Sequence, residues 1–326
     1  MVAVTGASAG LGRAITREFA KVGAKVGLIA RDEDALRDAA SEVEKLGGQA
    51  AVFSADVSNE DAVEAAAAGI EQQLGPIDIW VNDAMTSVFS PVKEMEGREY
   101  RRVTEVNYFG YVYGTLAALR RMLPRNRGRI IQVGSALAVR SIPLQSAYCA
   151  SKHAIVGFTD SLRCELCHDM SEVKVCMVHM PAMNTPQFTW VKSRLPRLPQ
   201  PVPPIFEPEV GARAVVHAAL ADRPRREYWV GGSTVKAILG QKVIPGILDR
   251  YLGKTGYDAQ QRNEPDSPAR PNNLWQPVPG GMRVHGPFEQ RARRTSLQFE
   301  IDMRRGWVTM ACGLVCAALA FKVLQR

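Results

Sequence analysis

The stretch VAVTGASAGLGRAITREFA (2–20) decides the fold, because it joins an apolar run, a glycine-rich turn and an amphipathic segment. The run VAVT (2–5) predicts a buried strand, and RAITREFAKVG (13–23) predicts a helix closed by glycine. Such a turn lets the backbone approach a pyrophosphate at the free N–H groups of the helix N-terminus. The alternative is a tight turn without a ligand, but the flanking strand and helix favour a phosphate loop. The loop residues predicted to bind there are Thr5, Gly6, Ser8, Gly10, Leu11 and Gly12.

Beyond this turn, strand-like and helix-like segments alternate up to about residue 235. This alternation implies βαβ units and a parallel sheet, and the nearly continuous apolar strands imply helices on both faces. The expected strands are 25–30, 49–57, 77–84, 128–135, 173–180 and 227–232, and the expected helices are 32–47, 59–74, 98–123 and 146–169. The fold class is therefore α/β, a doubly wound Rossmann-type parallel sheet in one domain over 1–235.

Two further regions follow this domain. Residues 236–305 lose the apolar period and are rich in proline after residue 258, which predicts an irregular extension laid over the domain surface. Residues 306–326 contain the apolar run 307–321, a helix of about 22 Å, or about 27 Å if it reaches residue 324. A hydrocarbon core of roughly 30 Å makes this a candidate membrane anchor. The alternative is a helix that docks on the domain or on a partner chain.

Composition argues against several other classes. The chain has 326 residues and a net charge of +8, without a basic run interleaved with aromatic residues, so no nucleic-acid surface is expected. The six cysteines are scattered through apolar segments, which is typical of reduced thiols, and no metal site is expected although Cys164 and Cys167 form a CxxC pair. The chain enters a strand at once, so no signal peptide is expected. Arg304 and Arg305 before the apolar run predict a cytoplasmic-facing domain.

The ends of the second and third strands bear on the cofactor. A free ribose 2′-hydroxyl usually meets an acidic side chain at the end of the second strand, where this chain has Ala30 and Arg31. A guanidinium suits a 2′-phosphate, so NADP is favoured over NAD. In the alternative, Arg31 only ends the strand and Asp32 caps the next helix. Asp56 and Val57, after the third strand, are predicted to contact the adenine ring.

A tyrosine and a lysine lie four residues apart in SAYCASKHAIVGF (146–158). At this spacing Tyr148 and Lys152 share one helix face. A tyrosine with its ordinary pKa of about 10 is a poor base, and a nearby ammonium lowers that pKa. The pair could then exchange a proton with a substrate hydroxyl or carbonyl. Ser135 ends the strand 128–135 at the sheet edge where such folds place ligands, so we expect it beside Tyr148.

Taken together, these motifs resemble the classical short-chain dehydrogenase/reductase family. The residues that carry the resemblance are TGASAGLG (5–12), Asn107 in VNYFG, Ser135, Tyr148 and Lys152, within about residues 1–235. The resemblance implies that Tyr148 is the general acid/base and that Lys152 tunes it and holds the nicotinamide ribose. It also implies that Ser135 orients the substrate carbonyl and that Asn107 holds a water in a proton relay.

The resemblance also implies cofactor contacts for Asn82 and Thr185, and a homodimer or homotetramer through the two long helices. The chain departs from the family pattern at NDAM (82–85), where the family usually has Asn-Asn-Ala-Gly. Asp83 adds a negative charge near the cofactor and Met85 removes a flexible glycine. These two residues favour an alternative function, a slow or non-catalytic cofactor-binding sensor or scaffold at a membrane.

The segment 182–208 is expected to form the substrate loop. Its apolar side chains among many prolines predict a pocket for a small lipophilic partner, a secondary alcohol or ketone. The alternative is that they only pack the loop onto the domain. The sequence thus predicts an NADP(H)-dependent oxidoreductase that transfers hydride between the nicotinamide and such a substrate, and a reductase of fatty-acyl intermediates is a variant of the same hypothesis.

Overall fold

The computed structural model describes residues 1–267 and 269–305 of the chain. The predicted apolar helix at 306–326 therefore lies outside the described residues. Within the described part of the chain, no helix combines the length and the apolar character needed to cross a membrane.

The strands and helices follow the predicted alternation. The strands are β1 (Val2–Thr5), β2 (Lys25–Ala30), β3 (Gln49–Ser54), β4 (Ile79–Asn82), β5 (Val88–Phe89), β6 (Arg129–Ser135), β7 (Lys174–Met180), β8 (Lys192–Ser193), β9 (Arg197–Pro199), β10 (Ile205–Phe206), β11 (Glu227–Trp229), β12 (Gln261–Pro265) and β13 (Ala292–Arg293). The α-helices are α1 (Gly10–Ala20), α2 (Glu33–Lys45), α3 (Glu60–Leu74), α4 (Gly97–Thr104), α5 (Gly110–Met122), α6 (Ser146–His168), α7 (Gln187–Trp190), α8 (Pro208–Leu220), α9 (Gly232–Val243), α10 (Pro245–Ala259) and α11 (Leu297–Met303).

Seven strands form one parallel sheet in the order β11-β7-β6-β4-β1-β2-β3. The chain builds outward from β1 to β3 on one side and from β4 to β11 on the other. The order therefore reverses between β1 and β4, and the crevice at their carboxyl ends is where a doubly wound sheet binds its ligand. The predicted fold class is confirmed.

The alternation of side chains along β1 shows how both faces of the sheet are covered. Val2 and Val4 join the apolar cluster that contains Phe19 of α1, whereas Ala3 joins the opposite cluster, which contains Ile70 of α3. All four residues of β1 are buried, and so are the helix side chains that pack on them. A strand that is buried on both faces reads as a continuous apolar run, as this one does.

Several elements differ from those expected from the sequence, among them α8 (Pro208–Leu220) and α11 (Leu297–Met303), which were not predicted. The expected helix 98–123 is divided into α4 and α5 by a π-helical turn over Glu105–Phe109. Asn107, one of the predicted catalytic residues, lies in that turn. Residues 232–259 form the helices α9 and α10, where no helix was predicted. The glycines in this stretch lower its helix propensity, and packing against the domain outweighs that preference.

The remainder of the extension, 260–296, is largely irregular and lies on the domain. Its short strand β12 pairs with β9, and β13 pairs with β10. The extension is thus attached to the segment 182–208 through backbone pairing.

Candidate active site

The glycine-rich turn after β1 is packed too closely to carry side chains. Gly6 has a φ of +73°, and a Cβ atom there would lie 2.9 Å from the Ala84 backbone. A Cβ atom on Gly12 would lie 2.2 Å from the Gly6 carbonyl oxygen. Because these positions carry no side chains, the N-terminus of α1 reaches the wall of a cavity at the carboxyl ends of the strands. An anion-binding helix N-terminus at a cavity wall fits the pyrophosphate of a dinucleotide.

That cavity has a volume of about 610 Å³ and lies at the carboxyl ends of the central strands. Most of the side chains and loop residues predicted from the sequence line it. They are Gly6, Ser8, Gly10, Leu11, Arg31, Asp56, Val57, Ser135, Tyr148, Lys152 and Thr185. Four predicted residues, namely Thr5, Gly12, Asn82 and Asn107, do not line it.

Two of these four residues support the cavity wall from behind. The Thr5 hydroxyl accepts hydrogen bonds from the backbone N–H groups of Asp83 and Ala84, at 3.0 and 3.2 Å. The Asn82 amide is fully buried, where it donates to Gln132 Oε1 at 2.9 Å and accepts from Trp80 Nε1 at 2.8 Å. The Asn82 side chain thus faces the helix layer, and a direct cofactor contact of that side chain does not follow from this geometry.

The predicted catalytic side chains meet at the end of β6 and the first turns of α6. Tyr148 is hydrogen-bonded to the Ser135 side chain, and the Lys152 ammonium lies 5.7 Å from the centre of the Tyr148 ring. Lys152 is only 2% exposed, and its Nζ donates to the Val133 carbonyl at 2.8 Å. The structure therefore brings Ser135, Tyr148 and Lys152 into one group that faces the cavity.

The protonation of Tyr148 follows from its surroundings. Burial raises the pKa of Tyr148 above its ordinary value, and the hydrogen bond with Ser135 opposes this shift only in part. The phenol is consequently neutral near pH 7, which suits a group that donates a proton to a carbonyl oxygen. The Lys152 ammonium points to the Val133 side of the cavity, so the expected lowering of the tyrosine pKa by Lys152 stays a prediction.

Asn107 holds the turn of α6 that carries the tyrosine. Its Oδ1 accepts from the Thr86 N–H at 2.8 Å, and its Nδ2 donates to Ser151 Oγ at 3.1 Å. Ser151 Oγ in turn donates to the Tyr148 carbonyl at 2.8 Å. A π-helical turn inserts an extra residue into a helix and often marks a functional position. The proton-relay role of Asn107 stays a prediction.

Tyr111 is a site residue that the sequence reasoning missed. Its buried hydroxyl accepts a hydrogen bond from Lys152 Nζ at 2.9 Å and donates to the Val133 carbonyl at 2.9 Å. The only sequence signal is its position four residues after Asn107 in an apolar helix. Tyr111 therefore fixes where the lysine ammonium lies.

Asp83 places a carboxylate on the cavity wall beside the phosphate loop. Burial raises the pKa of Asp83, and the positive charge of Lys152 and a hydrogen bond from the Gly12 N–H oppose the shift. Burial likewise lowers the pKa of Lys152, and the Asp83 charge opposes that shift. The two groups are thus electrostatically linked across the cofactor end of the cavity.

The C-terminal extension covers the adenosine end of the cavity. Arg31 donates from Nη1 to the Trp275 carbonyl at 3.0 Å and from Nη2 to the Asn273 carbonyl at 2.8 Å. The Gly10 N–H, within the phosphate loop, donates to the Arg283 carbonyl at 2.9 Å. Contacts that span more than two hundred residues of sequence could not be found from local patterns.

The ion pair of Asp56 with Arg102 closes the same end. Arg102 Nη2 lies 2.5 Å from Asp56 Oδ2, and Ser58 Oγ donates to the same carboxylate at 2.8 Å. Burial alone would raise the pKa of Asp56, but the hydrogen bonds from Arg102 and Ser58 outweigh it and lower the pKa. Asp56 is therefore a charged, fixed part of the cavity wall.

The segment 182–208 places apolar side chains at the cavity and in an apolar cluster. Phe188 and Trp190 line the cavity. Phe188 also packs with Leu195 and Ile205 in an apolar cluster that contains Phe288 of the extension. The side chains of this segment thus pack the loop onto the domain, and the pocket for a lipophilic substrate stays a prediction.

One cluster of potential metal ligands lies outside the cavity. The ligand atoms of Glu207, Glu209 and His285 come within 4.8 Å of one another. His285 Nε2 lies 2.8 Å from Glu209 Oε1, and Glu207 Oε2 accepts from Asn184 Nδ2 at 3.0 Å. The contact of His285 with Glu209 forms a hydrogen-bonded link between the extension and the start of α8.

Comparison with known proteins agrees with this site. The family model of the short chain dehydrogenases matches residues 1–194. The oxidoreductase YxnA of Bacillus subtilis is 32% identical over 277 residues, which are 84% of this chain and 77% of that protein. The fatty acyl-CoA reductase of Acinetobacter baylyi is 31% identical over 225 residues, which are 68% of this chain and 73% of that protein.

A solved structure extends the comparison to three dimensions. A metagenomic short-chain oxidoreductase in complex with NADP superposes with a TM-score of 0.59 at 30% identity, covering 71% of this chain and 96% of its own. The chain belongs to the short-chain dehydrogenase/reductase family, whose enzymes use NAD(P) and act on CH–OH and C=O groups.

Proposed function

We propose that this enzyme is an NADP(H)-dependent oxidoreductase that transfers hydride between the nicotinamide and a lipophilic secondary alcohol or ketone. One observation carries the proposal. The phosphate loop at the start of α1 and the group of Ser135, Tyr148 and Lys152 face the same cavity. A dinucleotide bound at the loop would thus bring its reactive ring toward the proton donor.

The protein's own groups supply the proton and the orientation. A nicotinamide supplies or accepts the hydride when it is bound. Tyr148 Oη would donate its proton to the carbonyl oxygen in reduction and recover it in oxidation. Ser135 Oγ would hydrogen-bond the same oxygen, and the buried Lys152 ammonium would stabilise the phenolate that reduction leaves behind.

Arg31 is proposed to read the 2′-phosphate of NADP. A guanidinium has five N–H donors, and the carbonyls of Asn273 and Trp275 each take one. The remaining donors are enough for a charge-assisted contact with a phosphate. The NADP complex of the metagenomic relative supports this choice of cofactor.

The chemistry of the cavity wall supports a lipophilic substrate. Phe188 and Trp190 of the substrate loop and Leu248 and Leu252 of α10 all line the cavity, which is largely apolar. The name of the Acinetobacter relative, a fatty acyl-CoA reductase, supports a substrate with a long apolar part.

Attachment and assembly are proposed on separate grounds. The segment 306–326 would anchor the chain in a membrane, with the domain facing the cytoplasm.

Phe109, which is 41% exposed, stacks on Tyr113 at 5.9 Å between ring centres. Such an exposed aromatic surface on the long helices suits the homodimer or homotetramer contact that is common among these enzymes.

The second candidate function, a cofactor-binding sensor or scaffold, rests on Asp83. A carboxylate beside the phosphate loop opposes an anionic cofactor whenever it is charged. Tight NADPH binding without turnover of any alcohol or carbonyl compound would favour this candidate.

The cofactor proposal is tested by fluorescence titration of NADPH and NADH. In Arg31→Ala, NADPH binding should weaken by roughly 10- to 150-fold, the loss of about 1.5–3 kcal/mol for a hydrogen bond to a charged group, while NADH binding is unchanged. Arg37→Ala is the matched control, because Arg37 is exposed on α2 and pairs with Glu33 and Asp34 of the same helix. An equal loss for both nucleotides would refute the role of Arg31.

A further inference from the structure

The helical hairpin formed by α9 and α10 exposes an apolar tip. Val243 is 77% exposed and Ile247 is 59% exposed, on either side of the turn between the two helices. Five large apolar side chains are exposed within 239–251, namely Leu239, Val243, Ile244, Ile247 and Tyr251. Single exposed apolar residues are ordinary, but a contiguous group on one tip marks an interaction surface.

Positive charge that is not neutralised surrounds this tip. The two acidic residues of the hairpin, Asp249 and Asp258, pair with Arg140 and Arg197, at 2.7 and 2.5 Å. The exposed basic residues of the hairpin are Lys236, Lys242, Arg250 and Lys254. Within 1–267 and 269–305, none of these four has a carboxylate at ion-pair distance, so the hairpin presents a net positive charge around an apolar centre.

The same hairpin forms a wall of the active-site cavity. Leu248, Leu252 and Gly256 of α10 line the cavity. Tyr251 lines it too and is 59% exposed, so it lies at the rim. The exposed apolar group therefore continues through Tyr251 into the lining of the cavity.

We infer that the α9–α10 tip docks on the surface of an anionic lipid membrane. Apolar side chains ringed by lysine and arginine enter the boundary between head groups and acyl chains, and the basic residues bind the anionic head groups. Neither a protein groove nor a second copy of this positively charged hairpin offers the same charge complementarity. The docking itself does not depend on turnover. Delivery of a lipophilic substrate past Tyr251 into the cavity rests on the function proposed above.

The expected size of the effect follows from the charges. A basic residue near an anionic surface contributes about 1 kcal/mol, or roughly a fivefold change in affinity. Val243→Glu with Ile247→Glu exchanges two inserted apolar groups for two repelled charges, and we expect the equilibrium constant for docking of the hairpin on the vesicle surface to fall by on the order of 100-fold or more, whether or not 306–326 holds the chain. Neither residue lines the cavity.

Hydrogen exchange of the full chain, read by mass spectrometry, tests the docking without requiring activity. Vesicles of phosphatidylcholine with phosphatidylserine should slow exchange in 239–252, vesicles of phosphatidylcholine alone should slow it less, and the double glutamate variant should lose the effect. The matched control is Val22→Glu with Leu123→Glu, since both side chains are exposed. Both precede the amino end of a strand, whereas the hairpin lines the cavity at the carboxyl ends of the strands.

Two results would overturn the inference. In the first, the chain binds the vesicles but exchange in 239–252 is unchanged, which would mean that another segment holds it. In the second, the hairpin is already protected without lipid and the protection grows with protein concentration, which would mean that a second copy covers it. If the exchange result is positive but no alcohol or carbonyl compound is turned over, only the proposed function fails.

Discussion

Replacing Tyr111 with phenylalanine should move the pH dependence of the enzyme. Lys152 Nζ has two acceptors in its buried site, the Tyr111 hydroxyl at 2.9 Å and the Val133 carbonyl at 2.8 Å. Tyr111→Phe removes one of them, and a hydrogen bond to a charged group is worth about 1.5–3 kcal/mol. At about 1.4 kcal/mol per pKa unit, the pKa of Lys152 should fall by about 1–2 units below the value that burial has already lowered.

The direction of the effect follows from the role of the ammonium. If charged Lys152 supports reduction, activity is present below its pKa and is lost as the pH rises through it. The loss in Tyr111→Phe should therefore begin about 1–2 pH units lower than in the wild type. The assay is kcat/KM for carbonyl reduction against pH, at saturating NADPH, together with the melting temperature.

Tyr113→Phe is the control for this prediction. Tyr113 lies on the same helix but stacks on Phe109 and makes no contact with Lys152. Its pH profile should match the wild type. A lowered melting temperature with an unchanged pH profile in Tyr111→Phe would mean that the hydroxyl is only structural, and the reasoning would be refuted.

Three further predictions concern the titration of Asp83, Glu99 and Tyr148. Because the pKa of Asp83 is raised, its negative charge appears as the pH rises, and NADPH affinity should weaken on the order of tenfold toward alkaline pH. In Asp83→Asn the affinity, measured by titration, should be independent of pH, and a parallel pH dependence in both proteins would contradict this. Burial alone would raise the pKa of Glu99, but hydrogen bonds from Arg194 and Lys192 outweigh it and hold the pKa at about 2. Its stabilising contribution is thus present above the ordinary carboxyl pKa and lost as the pH falls toward 2, so Glu99→Gln should lower stability by about 2–4 kcal/mol at neutral pH and by much less near pH 2–3 in thermal unfolding. The raised pKa of Tyr148 predicts that alcohol oxidation speeds up with pH through the alkaline range while reduction does not, and equal pH profiles for the two directions would argue against Tyr148 as the proton carrier.

The sheet could be predicted because its strands are short apolar runs between helices of ordinary length. Runs such as β1 and β2 are buried on both faces, so their sequence states their environment directly. Helices α9 and α10 could not be predicted in the same way. Their glycines disfavour a helix, and the contacts that stabilise them come from the cavity wall rather than from the local sequence.

The candidate site shows the same division between local and distant causes. Tyr148 and Lys152 follow from a four-residue spacing that any helix would present on one face. The place of Asn82 was not predicted, because the resemblance implied a cofactor contact whereas its buried amide accepts from Trp80 on the same face of the strand. The π-helical turn at Asn107 could not be predicted, because one extra residue in a helix leaves no mark on its composition. The tether of Arg31 to Asn273 depends on how the extension folds back over the domain.

The role of Tyr148 as proton donor is best measured by NADPH oxidation with a panel of long-chain ketones, comparing the wild type with Tyr148→Phe. NADPH titration of both proteins serves as the control for an intact cavity. We expect turnover by the wild type, and a loss of at least about 100-fold in Tyr148→Phe with NADPH affinity preserved, because the ring stays and only the proton donor is removed. Comparable turnover by both proteins would contradict the assignment of Tyr148 as the acid that completes hydride transfer.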